Sequence, residues 1–148
     1  MGYVLWWVWR CDIMIGKIYI SMVEFYDVRN QKTSIKARPV LILSDMRNND
    51  FTVLPISTIS KTQNIDIEYD IELNPQIYQK MNLNKVPYVR IHKRTYLHQA
   101  NIDKTKILGD IKNDYLDLFL KILEKIEKFN KEILEKWTEK FLYFSLIS

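Results

Sequence analysis

At Asn113 the hydrophobic rhythm of the chain changes, and no single kind of secondary structure accommodates both sides of that point. Upstream, Ile18, Ile20 and Met22 alternate with Lys17, Tyr19 and Ser21 across Gly16 to Phe25. Ile65, Ile67, Tyr69 and Ile71 alternate with Asp66, Glu68, Asp70 and Glu72. A period of two is that of a strand with one face buried. Pro39 to Leu43 is a continuous apolar run, which reads as a central strand buried on both faces and starting at its proline. Phe51 to Ile56, Tyr88 to Ile91 and Ile102 to Ile111 complete the set. Between them lie polar stretches: a basic loop from Asp27 to Lys36, a turn from Asp45 to Asp50, Ser57 to Asn64, a loop or helical turn at Asn74 to Asn82, and His92 to Asn101.

Downstream, Leu116, Phe119, Leu120, Leu123, Ile126, Ile133, Leu134, Trp137 and Phe141 recur at spacings of three and four, with Lys and Glu between them. That is an amphipathic helix. Asn113 or Asp114 is placed to cap its start, and Asn130 interrupts the stripe as a break between two helices would. Five or six strands are too few for a sandwich, which needs about seven. The expected fold is therefore mostly β (α+β): a small SH3-like barrel closed by a C-terminal amphipathic helix. The chain of 148 residues suits one core. It divides into an apolar extension (1–13), a barrel domain (14–112) and a C-terminal helical segment packed on the barrel (113–148).

Composition excludes several classes. Three glycines cannot build a phosphate-binding loop or a dinucleotide fingerprint. The one cysteine, Cys11, forms no internal disulfide and no Cys-x-x-Cys metal cluster. A net charge of +4 permits nucleic-acid binding without demanding it. Met1 to Trp9 is nearly all apolar with three tryptophans, yet far short of the roughly 20 residues a bilayer span needs. It lacks the basic n-region and small-residue cleavage site of a signal peptide. It reads as an added strand or cap, a docking surface, or the translation of an upstream start with the natural chain beginning at Met14. The last is favoured because the run does not alternate.

Groups able to work on a phosphodiester stand at strand ends: Arg38, then Ser57 and Thr58, then Arg90 and His92. An arginine offers five donors in a rigid fork to a charged phosphoryl group. Hydroxyls add hydrogen bonds, and a histidine moves protons near neutral pH. Each has a plainer reading. Arg38 can be a surface residue at a strand start, Ser57 and Thr58 can be loop caps, and Arg90 and His92 can lie on a wet sheet face. Lys93, Arg94, Tyr96 and His98 form a basic and aromatic platform with Arg90, and Lys36 and Lys61 add positive charge on the flanking loops; these are the candidate RNA-binding residues. Asp66, Glu68 and Asp70 would share one face of their strand, where a solvated surface is the plainer reading than a Mg²⁺ site. No metal and no cofactor is expected.

Taken in order, Gly16-x-Ile18, Ala37-Arg38-Pro39-Val40-Leu41-Ile42-Leu43-Ser44, Val53-Leu54-Pro55-Ile56-Ser57-Thr58 and Tyr88-Val89-Arg90-Ile91-His92 resemble the MazF/PemK/Kid family, the toxins of bacterial toxin–antitoxin modules. The similarity runs from about Gly16 to Ile126, and Arg-Pro-Val-Leu-Ile-Leu-Ser is its most specific piece. The resemblance implies an SH3-like barrel of the plasmid-maintenance toxin type and a homodimer. It also implies metal-independent cleavage of single-stranded mRNA through the 2′-hydroxyl to a 2′,3′-cyclic phosphate. On this reading Arg38, Ser57, Thr58, Arg90 and His92 are catalytic, and the last stands where the PemK/Kid branch has an aspartate. The family's Asp-Gln-x-Arg-Thr is replaced by His92-Lys93-Arg94-Thr95-Tyr96, and its Gly-rich first loop by Thr33-Ser34-Ile35-Lys36. The implied partners are single-stranded RNA and an acidic antitoxin, with no membrane, in the cytoplasm. A barrel that binds nucleic acid without cutting it, and an inactive structural or interaction homologue, are the alternatives.

Overall fold

The computed structural model describes residues 14–147. The readings placed on residues 1–13, Cys11 among them, lie outside the described residues. Seven strands, β1 (Lys17–Asp27), β2 (Lys32–Ile42), β3 (Asp50–Thr58), β4 (Asp70–Glu72), β5 (Pro87–Arg90), β6 (Thr95–His98) and β7 (Ile102–Asp110), form one antiparallel sheet in the order β4-β5-β3-β2-β1-β7, with β6 also paired to β3. A short helix α1 (Ile111–Asp114) and a long helix α2 (Leu116–Ile147) follow. This is the mostly β, barrel-like α+β architecture that the change of period implies.

The central strands bury both faces because period two sends successive side chains to opposite sides. Ile18, Leu41, Leu54, Ile56, Val89 and Ile91 join one core with Leu118, Phe119 and Ile122 of α2. Tyr19, Val40, Ile42, Phe51, Val53 and Ile102 form the other. Full burial of a side chain of this size contributes about 1.5–3 kcal/mol. Gly16 joins the strands to the helix: its carbonyl accepts from Ile111 N (2.8 Å) and its N–H donates to Ile42 O (2.8 Å). Its φ of +82° is left-handed, and a Cβ there would collide with Lys112.

Several elements differ from the sequence expectation. The basic loop from Asp27 to Lys36 is mostly strand, since β1 and β2 pair from Ile18↔Leu41 to Asp27↔Lys32. The turn needs few residues: Asp27 accepts from the N–H groups of Arg29 and Asn30, and Gln31 takes a positive φ of 49°. The alternating Ile65–Glu72 stretch is a strand only at Asp70–Glu72. Asp66 Oδ1 accepts from Glu68 N and Tyr69 N, folding the residues before it into a turn. Two positions then depart from the alternation, Ile67 at 94% exposed and Asp70 buried, while Tyr69 and Ile71 are buried as it requires. The polar His92–Asn101 stretch holds β6, whose Asp50↔His98 and Val53↔Thr95 pairings extend β3. The helical segment starts at Asp110, whose carboxylate caps α1 by accepting from Asn113 N (3.1 Å). Asn130 does not break the helix, as α2 runs unbroken to Ile147.

Along α2, Leu118, Phe119 and Ile122 are buried, while Leu134, Trp137, Phe141 and Phe144 are exposed. The apolar stripe outlasts the barrel it covers. Ile122→Ala should therefore cost about 2–5 kcal/mol. Leu134→Ala should stay within about 0.5 kcal/mol in dilute protein. Urea denaturation of the two variants checks the contrast.

Candidate functional site

β2 and β3 pair only over Val40↔Pro55, Leu41↔Leu54 and Ile42↔Val53. Beyond Pro55 the strands diverge, because β3 turns to pair with β5 through Ile56↔Val89, Ser57↔Tyr88 and Thr58↔Pro87. The gap is a groove of about 550 Å³. Lys36, Ala37, Arg38 and Pro39 line it from β2, and Ser57, Thr58 and Pro87 from β3 and β5. Ile20, Ile56 and Leu108 form its apolar base, and Asn82, Leu83, Asn84 and Lys106 complete it. Its charged residues are all cations, Lys36, Arg38 and Lys106. An anion enters such a cleft with no like charge against it.

Arg38 is held at both ends. Its carbonyl accepts from the buried Ser21 hydroxyl (3.1 Å), and its guanidinium lies 5.6 Å from the centre of the Phe25 ring. Ser21↔Arg38 pairing puts Ser21, Phe25 and Arg38 on one face of the hairpin, which is why the contact forms. The structure thus brings Arg38, Ser57, Thr58 and Lys36 together. Lys106, Asn82 and Asn84 join them without any sequence signal, since an exposed strand lysine and turn asparagines resemble many others.

Arg90 and His92 do not line the groove; they form a second cluster. Arg90 ends β5, and His92 stands in the 3₁₀ turn Ile91–Lys93 that follows. Arg90 Nε donates to Asp70 Oδ1 at 2.8 Å, and the side chain of Asp70 is wholly buried. The pair follows from Asp70↔Arg90 register between β4 and β5. Asp70 Oδ2 also accepts from Asp66 N (2.8 Å). His92 Nδ1 is 3.6 Å from Asp70 Oδ1 and 3.9 Å from Asp66 Oδ2, and His92 Nε2 is 3.5 Å from an Arg90 terminal nitrogen. Asp66, Glu68 and Asp70 do not share a face as expected: Asp70 is inside, and Glu68 reaches out to Lys128 at 2.6 Å. Sequence reasoning placed Asp70 only on a wet face with Asp66 and Glu68 and missed its burial against Arg90, because the alternation counted it as wet.

Helix α2 holds this turn in place. Lys125 donates to the Glu68 carbonyl, Lys128 pairs with the Glu68 carboxylate, and Tyr69 meets Phe129 edge-on at 5.0 Å. The Lys128 hydrogen bond holds the Glu68 carboxyl below its ordinary range and raises Lys128. Burial, with Glu132 nearby, pushes the Tyr69 phenol above its ordinary value.

The remaining candidates are dispersed. Lys61, Lys93 and Arg94 are exposed. Tyr96, 67% exposed, lines a separate recess with Arg47 and Asn48. His98 accepts from Ala100 N through Nδ1 (3.1 Å), so one ring nitrogen serves a local cap.

Comparison with known protein families matches residues 16–129 to a family model described as PemK-like, MazF-like toxin of type II toxin–antitoxin system. Among curated proteins, none matches the chain.

Removing one partner of a buried pair strands the other charge. Asp70→Ala should cost about 3–5 kcal/mol, and adding Arg90→Met should recover much of the loss. A double-mutant cycle by chemical denaturation measures this. For Glu68 the sign is that of a carboxyl lowered by folding. Its contribution is complete above the ordinary glutamate value and is lost as pH falls through the lowered one. Lys128→Gln should return the Glu68 titration, followed by NMR, toward the ordinary range.

Proposed function

Because the chain belongs to the PemK-like, MazF-like toxin family of type II toxin–antitoxin systems, we propose that it is an endoribonuclease that cuts single-stranded mRNA without a metal ion. The carrying observation is the groove, where Arg38, Lys36 and Lys106 surround the hydroxyls of Ser57 and Thr58 with no carboxylate in the lining. This composition suits a phosphodiester backbone, whose anionic oxygens take charge-assisted hydrogen bonds from arginine and lysine.

The reaction needs three services. A base removes the proton of the 2′-hydroxyl, donors stabilise charge on the non-bridging oxygens, and the departing 5′-oxygen receives a proton. His92 takes the 2′-proton. The O2′–P bond forms and the P–O5′ bond breaks; the departing O5′ takes a proton from water, His92 returns the 2′-proton to solvent, and the products are a 2′,3′-cyclic phosphate and a 5′-hydroxyl. Arg38 and Arg90 stabilise the phosphorane, and Ser57 and Thr58 hydrogen-bond its oxygens. Ser57↔Tyr88 pairing sets Ser57 on the same sheet face as Tyr88 and, two residues on, Arg90. An RNA strand leaving the groove over Ser57 therefore runs toward Arg90 and His92. Lys36, Lys61, Lys93, Arg94, Tyr96 and His98 serve as outer contacts to phosphates and bases.

Membership in a type II family implies an antitoxin partner. We take it to be an acidic peptide laid over the groove against Lys36, Arg38 and Lys106, and the toxin to act as a homodimer in the cytoplasm. No helix of the described residues is long and apolar enough to cross a membrane.

The test is one assay: purified protein, mixed-sequence labelled RNA, excess EDTA, and analysis of product ends. Cleavage to 2′,3′-cyclic phosphate is expected, and 2′-deoxyribose at the cut position should leave the substrate bound but intact. Arg38→Ala should lower the rate by about 10²–10³. Cleavage that requires Mg²⁺ would overturn the mechanism, and retention of RNA without cutting would make the barrel a binding module.

A further inference from the structure

His92 is flanked on both edges of its ring by groups of opposite hydrogen-bonding character. On one edge Nδ1 is buried and has no hydrogen-bond partner among the described residues. The groups it faces are two carboxylates, Asp70 Oδ1 at 3.6 Å and Asp66 Oδ2 at 3.9 Å. Carboxylates only accept. On the other edge Nε2 stands 3.5 Å from an Arg90 terminal nitrogen. A guanidinium only donates. Both edges select the same neutral tautomer, with the proton on Nδ1 and the lone pair on Nε2.

Asp70 is fixed independently of His92. Oδ1 accepts from Arg90 Nε, Oδ2 accepts from Asp66 N, and no part of the side chain is exposed. It cannot swing out to solvent without stranding Arg90. Of the charged groups nearby, Glu68 is paired with Lys128, and Lys125 of α2 donates to the Glu68 carbonyl.

We propose that Asp70 is a positioning residue for His92, holding the imidazole in the Nδ1–H tautomer so that Nε2 is the basic nitrogen once the 2′-hydroxyl displaces the long 3.5 Å Arg90 contact, and offsetting the repulsion between Arg90 and the imidazolium formed when Nε2 takes a proton. The inference rests on the assignment of His92 as the base in RNA cleavage. A carboxylate that orients a histidine in this way is a general device of acid–base catalysis, and its amide replacement keeps the shape while favouring the wrong tautomer. The chain would thus have its carboxylate one strand away from the late-strand position that His92 occupies, acting through a ring rather than directly. Asp66, at 3.9 Å and partly exposed, is the lesser acceptor.

The experiment has two arms. In the first, ¹⁵N chemical shifts of the His92 ring are recorded for the full chain without RNA, across neutral to mildly alkaline pH. A protonated, pyrrole-like Nδ1 and a pyridine-like Nε2 are expected, with the populations shifting toward Nε2–H in Asp70→Asn. An Nε2–H tautomer in the wild-type protein would overturn the proposal, and so would a tautomer ratio unchanged in Asp70→Asn. In the second arm, cleavage is measured across pH for wild type, Asp70→Asn, His92→Ala and the double variant. Asp70→Asn should lower kcat by about 10²–10⁴ with KM within about threefold, and the double variant should be no slower than His92→Ala alone. A folded Asp70→Asn with unchanged kcat and pH profile, beside a crippled His92→Ala, would also overturn it. A wild-type protein that cleaves no RNA would sink the nuclease reading instead, and the ring-nitrogen measurement would still decide the role of Asp70.

Discussion

A carboxylate with no exposed surface must be matched by donors, and for Asp70 the matching is done by Arg90 and the Asp66 amide. Much else follows from that requirement. The ion pair ties β4 to β5 at their Asp70↔Arg90 register. It sets the guanidinium beside His92, and it holds the residues before β4 in a turn over the end of β5. A buried pair of this kind often contributes little net stability compared with an apolar pair of the same shape. Its value lies in leaving one arrangement for the arginine and the ring beside it. An apolar pair would hold the strands together and leave His92 unoriented.

The groove has a different origin, in the parting of two strands. β3 is shared: its middle pairs with β2, and its end pairs with β5. At Pro55 it leaves β2 for β5, and the space opened between them collects Arg38 from one strand and Ser57 and Thr58 from the other. Antiparallel register does the rest, since Ser21↔Arg38 pairing brings the Phe25 ring under the guanidinium. The cationic character of the cleft comes from residues far apart in sequence: Lys36 and Arg38 on β2 and Lys106 on β7. Its position is set by backbone hydrogen bonding and its charge by side chains that share little with the core.

Helix α2 links the buried cluster to the core. Its first turns bury Leu118, Phe119 and Ile122 against the sheet, and its next turn clamps the Asp66–Tyr69 segment through Lys125, Lys128 and Phe129. The matched family region ends at residue 129, close to where the helix stops touching the sheet, while the helix continues to Ile147 with its apolar side chains exposed. Helical geometry continues there because Lys, Glu and Leu favour it and nothing in the segment terminates it. Asn130 carries a modest propensity cost, too small to break a helix already formed on both sides.

What the amino-acid sequence determined by itself is the change from period two to period three-and-four at the end of the β region, the doubly buried run from Val40 to Ile42, and the motif residues that mark the family. These are legible because burial imposes periodicity, and periodicity survives in one dimension. The Asp27–Lys36 hairpin was not legible: its partner strand, which supplies half of every hydrogen bond, is invisible from the residues alone. The Ile65–Glu72 alternation misled for a related reason, as Asp66 captured local amide groups and bent the chain before the pattern could be used. Arg38, Ser57, Thr58, Arg90 and His92 could be named one by one, but not their division into a groove and a buried cluster. Asp70 could be named only as one of three carboxylates on an expected wet face. A buried carboxylate looks like an exposed one in sequence, and only the tertiary structure, by placing an arginine within 2.8 Å of it, decided which it was.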